Sequence, residues 1–256
     1  MKHEHSALAG RRILVTGASS GLGAHFARTL AAQGAHLALA ARRTERLAQL
    51  VSDIEQAGGT AQAFSLDVND AARIEPRIAH VQAALGGIDV LVNNSGISET
   101  HRLEDVTPAE FDALFTTNVR GAFFVAQAVA RGMIAAGGTP GSRAIVNVAS
   151  SAGLKPLPRI GPYAAGKAAL IHLTRSMALE WGRYGVNANV LCPGYIATEL
   201  NESHWQDEQG LKLLQRLPRR RLGRPQDLDG PLLLLCSASS GFMNGAVVAV
   251  DDGLSA

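Results

Sequence analysis

Short apolar runs alternate with helix-length amphipathic segments along almost the whole chain, and this restricts the fold more than any single motif does. Residues 12–16, 36–41, 61–66, 89–93, 144–148, 186–191 and 246–250 read as seven strands. Residues 22–33, 44–56, 71–85, 109–136, 161–183 and 226–236 read as helices, the fourth interrupted near Asn118. Strands that alternate with helices build parallel sheets, because a parallel connection needs a long crossover. The strands are short and nearly continuously apolar, as burial under two helical layers requires. The expected fold is therefore α/β, a doubly wound parallel sheet of about seven strands with helices on both faces. No internal repeat or linker divides the chain, so residues 1–256 are expected to form one unit. Residues 198–221 break the alternation. A long polar insertion after a strand is often a binding element, and this one is expected to act as a substrate lid.

The composition suits this layered core. Hydrophobic residues make up 46% of the chain and charged residues only 18%. The net charge of +2 gives no general attraction for nucleic acid or membrane, and aromatics at 5% offer no stacking surface for bases. No apolar run reaches the ~18 residues expected of a membrane-spanning helix. The polar start, Met1 to His5, lacks the apolar core of a secretion signal. Cys192 and Cys236 lie in apolar runs and read as buried free thiols, the state that a reducing compartment maintains. A cytoplasmic location is expected, with neither nucleic acid nor membrane as partner.

Thr16-Gly17-Ala18-Ser19-Ser20-Gly21-Leu22-Gly23 joins the first strand to the first helix. Gly17, Gly21 and Gly23 allow a tight turn and close backbone approach to a pyrophosphate. Ser19, Ser20 and Leu22 bring the open N-terminus of the helix to it. The end of the second strand selects the dinucleotide. A carboxylate there would bind ribose hydroxyls, but this chain has Arg42 and Arg43, which can clamp a 2′-phosphate. NADP(H) is the expected cofactor, with Arg42 its main contact and NAD(H) the alternative. Asp67, with Val68, closes the third strand and can accept from the adenine amino group. Asn93, Ser95 and Gly96 close the fourth, where small residues let a cofactor ring pass close to the backbone.

Tyr163 and Lys167 stand at i and i+4 of an expected helix and so share a face. An ammonium beside a phenol favours the phenolate, lowering its pKa from ~10 and suiting it to acid–base work.

These motifs, in this order and spacing, resemble those of the short-chain dehydrogenase/reductases, in their compact single-domain branch with its Rossmann-like sheet. The resemblance covers roughly residues 9 to 253 and includes Asn118, Ser150 and Pro193-Gly194. It implies a catalytic set of Asn118, Ser150, Tyr163 and Lys167. Ser150, favoured over Ser151, would hydrogen-bond the substrate oxygen, and Tyr163 would transfer the proton. Lys167 would lower the tyrosine pKa and bond the nicotinamide ribose, and Asn118 would bend its helix and hold a water leading to solvent. Pro193, Gly194, Ile196 and Thr198 would wrap the nicotinamide. One departure bears on backbone geometry. Asp251-Asp252-Gly253 stands where the family ends in Asp-Gly-Gly, so a left-handed position there would strain Asp252.

The implied activity is NADP(H)-dependent interconversion of a ketone or aldehyde and an alcohol. The substrate pocket is expected to include Ser150, Leu154, Ile160, Tyr163, Tyr195 and Trp205, with His101, Leu200 and Leu211 nearby. That mixture suits a medium-sized, partly apolar carbonyl compound. No metal is expected. Arg219, Arg220, Arg221 and Arg224 would suit an acidic carrier, which makes 3-oxoacyl-[acyl-carrier-protein] or 3-oxoacyl-CoA reduction the second reading. A silent dinucleotide sensor is the third. The apolar run Pro231 to Leu235 suggests a homo-oligomer, a tetramer or dimer.

Overall fold

Alternate residues of the central strands point into two separate apolar layers. The computed structural model describes residues 8–139, 141–199 and 205–256. Its strands are β1 (Arg12–Thr16), β2 (His36–Ala41), β3 (Thr60–Ser65), β4 (Val90–Asn93), β5 (Arg143–Val148), β6 (Val186–Pro193) and β7 (Val247–Val250). Its helices are α1 (Gly21–Ala32), α2 (Thr44–Gln56), α3 (Ala71–Leu85), α4 (Pro108–Phe115), α5 (Ala122–Ala135), α6 (Gly161–Trp181), α7 (Glu208–Leu214) and α8 (Asp229–Cys236). All strand pairs are parallel, in the order β3-β2-β1-β4-β5-β6-β7.

Ile13 and Val15 of β1, with Val90 and Val92 of β4, join Phe26, Leu30, Leu47, Leu50, Leu232 and Leu235 in one layer. Leu14 and Leu91 face the other way, onto Ile74, Ile78, Val125, Val129, Met133 and Met177. The period of two along each strand therefore decides which helices it supports. Between β1 and β4 the order of strand addition reverses. The ends of these two strands consequently open a crevice at the carboxyl edge of the sheet, where ligands of such sheets bind.

Three expected elements differ in detail. Residues 109–136 form α4, a wide π turn over Thr116–Gly121, and α5. The wide turn seats Gly121 against β3's exit, where a Cβ would lie 2.5 Å from the Val68 carbonyl. Residues 226–236 begin with a 3₁₀ turn, Pro225–Leu228, before α8. β6 runs on to Cys192 and Pro193, which pair with Ala249 and Val250 of β7. Leu232, Leu235 and Cys236 are fully buried within the chain, so the inner face of the last helix belongs to the core; Leu234 is partly exposed. Among the described residues, no helix is long and apolar enough to cross a membrane.

Candidate active site

Thr16, the last residue of β1, ties the two sides of the crevice together. Its hydroxyl donates to Asn93 Oδ1 (3.3 Å) and accepts from the backbone N–H groups of Asn94 (3.0 Å) and Ser95 (3.1 Å). Asn94 returns its amide to the Thr16 carbonyl at 3.2 Å. Asn93 donates to the carbonyl of Ala122 and to Asn147 Oδ1, which fixes β4 to α5 and β5. The glycine turn starts on this frame. Gly17 has a φ of +64°, and a Cβ there would meet Ser95 Cα at 3.0 Å; a Cβ on Gly23 would meet the Gly17 carbonyl at 2.2 Å. Ser20 precedes α1 without a side-chain cap, so the first N–H groups of a twelve-residue helix face the turn without that partner. This glycine cradle and bare helix start fit the pyrophosphate of a dinucleotide.

Arg43 reaches over the turn. Its guanidinium donates to Ser19 Oγ (3.0 and 3.2 Å) and to Ser20 Oγ (2.6 Å), whereas Arg42 is exposed at the end of β2. Asp67 is exposed past β3 and turns its carboxylate onto the N–H of Asn69, 2.9 Å away; Val68 beside it is buried. Asn69 in turn accepts from the Thr117 hydroxyl (2.9 Å), and its carbonyl accepts from Arg120 (3.1 Å). These bonds pin the π turn to the exit of β3. No motif in the sequence pointed to the Asn69–Thr117 link, because it joins two loops distant along the chain.

The wide turn aims Asn118 inward. Its side chain donates to the Ile97 carbonyl (2.8 Å) and accepts from the Ile97 N–H (2.9 Å), clasping the loop after β4. A Cβ on Gly96 would lie 3.2 Å from Asn118 Oδ1 and 3.4 Å from Lys167 Nζ. Gly96, Asn118 and Lys167 therefore meet at one point. Lys167 is only 4% exposed, donates to the Val148 carbonyl at 2.9 Å, and has its nitrogen 5.7 Å from the centre of the Tyr163 ring. Burial lowers its pKa to about 8.

Ser150 follows β5 and accepts from the Ala152 N–H at 3.1 Å. Its hydroxyl lies close enough to Tyr163 to hold that pKa down, and Ser151 is buried. Burial raises the Tyr163 pKa, and Ser150 only partly opposes this. The net direction is therefore upward, set by desolvation of the phenol. Below Ser150 lies Cys192, whose sulfur accepts from the Ser150 N–H and whose pKa burial pushes up to about 11. Both cysteines are free and buried, as expected.

Past β6, Gly194 passes so close to the C-terminal segment that a Cβ would meet Asp251 Cα at 2.7 Å. The Ile196 side chain is buried in the core, so only its main chain is left to face a nicotinamide; Thr198 is half-buried. Tyr195 packs edge-on against Trp205, ring centres 5.2 Å apart, and lies close enough to Tyr163 to influence its charge. Ile160 precedes α6 and Leu154 is 39% exposed on the same loop. Leu200 lies outside the described residues. His101 stands at the rim between Glu99 (3.6 Å) and Glu110 (3.3 Å). The arginine cluster stays exposed: Arg219 and Arg221 pair with Asp252, and Arg221 and Arg224 with Asp227.

The family model of the short chain dehydrogenases matches residues 11–209. Gluconate 5-dehydrogenase of Gluconobacter oxydans is 41% identical over 248 residues, covering 96% of this chain and 95% of that protein. The 5-keto-D-gluconate 5-reductase of Escherichia coli is 34% identical, with 96% of both chains covered. A gluconate 5-dehydrogenase from Burkholderia cenocepacia, solved in complex with NADP and tartrate, superposes with a TM-score of 0.91 at 40% identity, again over 96% of both chains. Fold, motif order and full-length similarity agree, and the chain belongs to the short-chain dehydrogenase family, whose relatives here are oxidoreductases acting on CH–OH groups.

Proposed function

We propose that the protein is an NADP(H)-dependent oxidoreductase that interconverts a polyhydroxy acid and its keto acid, with Tyr163 as the proton-transferring group. The observation that carries this reading is the convergence of Ser150, Tyr163 and buried Lys167, beside Gly96 and Asn118, at the carboxyl edge of the sheet. The substrate class is supported by the gluconate and ketogluconate enzymes that resemble the chain along its whole length. It is more polar than the partly apolar carbonyl suggested by Leu154, Ile160 and Trp205.

Bound NADP(H) supplies or accepts the hydride. The protein does the rest. The glycine turn and the start of α1 bind the pyrophosphate, and Arg42 and Arg43 carry the preference for a 2′-phosphate. Ser150 donates a hydrogen bond to the substrate oxygen and so stabilises charge developing there. Tyr163, neutral because burial raises its pKa, holds the proton that the new alcohol needs. Asn118 fixes the Ile97 loop and Gly96 against Lys167. The test is NADPH oxidation followed at 5-ketogluconate, other keto acids and simple ketones. Turnover is expected with keto acids, at least tenfold better with NADPH than with NADH. Tyr163→Phe should keep NADPH binding and lose more than 99% of kcat; near-native turnover by that variant would end the proton-transfer assignment.

A further inference from the structure

Asp252 holds a conformation that its sequence position makes costly. Its φ is +58°, in the left-handed region, where the family's usual glycine would sit without strain. Such a residue persists where its surroundings over-determine it. Here the surroundings are firm. Asp251 accepts from the N–H groups of Gly253 (3.1 Å) and Ser255 (2.9 Å), and the Leu254 carbonyl accepts from Lys155 at 3.2 Å. The Asp252 carboxylate is therefore presented on a rigid turn.

That carboxylate meets the end of the insertion. Asp252 Oδ1 lies 3.3 Å from Arg219 Nε and 3.5 Å from an Arg221 terminal nitrogen. Arg220, between them, is itself left-handed with φ +52°. Two residues beyond Arg221, Gly223 joins the loop after β6: its N–H donates to the Tyr195 carbonyl (2.9 Å) and its own carbonyl accepts from the Ala197 N–H (2.8 Å). At the other end of the described insertion, Trp205 packs on Tyr195. Residues 205–221 thus cross beside the candidate substrate pocket, held by an aromatic contact at one end and by a carboxylate between two guanidinium groups at the other.

We propose that Asp252 is a positioning residue for substrate: its carboxylate fixes Arg219 and Arg221, and through them sets residues 205–221 against Tyr195. Isolated surface ion pairs contribute little, but one anchored carboxylate shared by two arginines loses less entropy on pairing. The inference rests on the keto-acid reading for its kinetic consequence, not for its structural one.

The test compares Asp252→Asn, Asp252→Gly and Arg219→Gln/Arg221→Gln in the full chain with NADPH bound. Asparagine tolerates the left-handed backbone and removes only the charge, while glycine removes charge and strain together. Amide exchange across residues 208–221 should quicken at least tenfold in all three variants, without loss of melting temperature in Asp252→Gly. KM for the keto acid should rise three- to tenfold, with kcat and the NADPH dissociation constant within twofold. Added salt should raise KM in the unsubstituted protein and not in Asp252→Asn. Unchanged exchange in Asp252→Asn would overturn the proposal whatever the kinetics. Faster exchange in a protein that turns over no keto acid would uphold the anchor and sink the keto-acid reading.

Discussion

Lys167 is a nearly inaccessible cation whose nitrogen touches a backbone carbonyl, and burial brings its pKa down to about 8. Its charge therefore changes within the working range of an enzyme. The free protein's ionisations govern kcat/KM, so kcat/KM for NADPH should fall about tenfold per pH unit above pH 8 if the ammonium is needed. Tyr163, raised by burial, remains a proton donor across that range and adds no second limb. The sign for stability is opposite. From pH 8 to 9 the unfolded lysine keeps its proton while the folded one sheds it, so this group's contribution to stability rises with pH. Lys167→Met should accordingly be the more stable protein at pH 7, and its advantage should shrink by up to about 1 kcal/mol by pH 9. A flat profile of kcat/KM to pH 10 would show that the lysine charge is not required. The pairing of Tyr163 with Lys167 was legible from spacing. The upward direction of the tyrosine pKa was not, because it depends on how β5, β6 and the Tyr195 loop close over the phenol.

The glycine turn, the wide turn at Asn118 and the ends of β1 and β4 act as units. Thr16 couples them, accepting two backbone N–H groups while donating to Asn93. Thr16→Val keeps the shape and leaves those two donors without their acceptor, at about 1–3 kcal/mol for each that stays buried. We expect a loss of about 2–3 kcal/mol in urea unfolding and at least tenfold weaker NADPH binding; a variant with native affinity would mean that the crevice does not need this tie. Arg43 illustrates what spacing can and cannot tell. The absence of a carboxylate after β2 was readable, as was the presence of two arginines. Which one crosses to Ser19 and Ser20 depends on the backbone entering α2. The break at Asn118 was likewise visible as a polar residue in an apolar helix. Its cause, a clasp on Ile97 and packing of Gly121 on Val68, lies in tertiary contacts.

At the scale of the whole molecule, the two sheet edges differ. β3, at one edge, exposes polar Thr60 and Gln62, which discourages further pairing. β7, at the other, is four apolar residues that are at most half-buried. Beside β7 the chain turns through Phe242, which is fully exposed, and Asn244 pins that turn to the Ala178 carbonyl at 2.9 Å. The neighbouring Leu179 is 85% exposed. An open strand edge flanked by two large apolar side chains is the kind of surface that soluble chains cover. A second copy of the chain meets the need symmetrically, since the same edge and the same side chains can face one another about a two-fold axis. We therefore expect sedimentation at a multiple of the 26.8 kDa chain. Replacing Leu179 and Phe242 together by Asp should lower the assembly by one step while leaving the melting of the separated chain cooperative. A monomer at micromolar concentration, or an assembly indifferent to both substitutions, would place the subunit contact elsewhere or remove it.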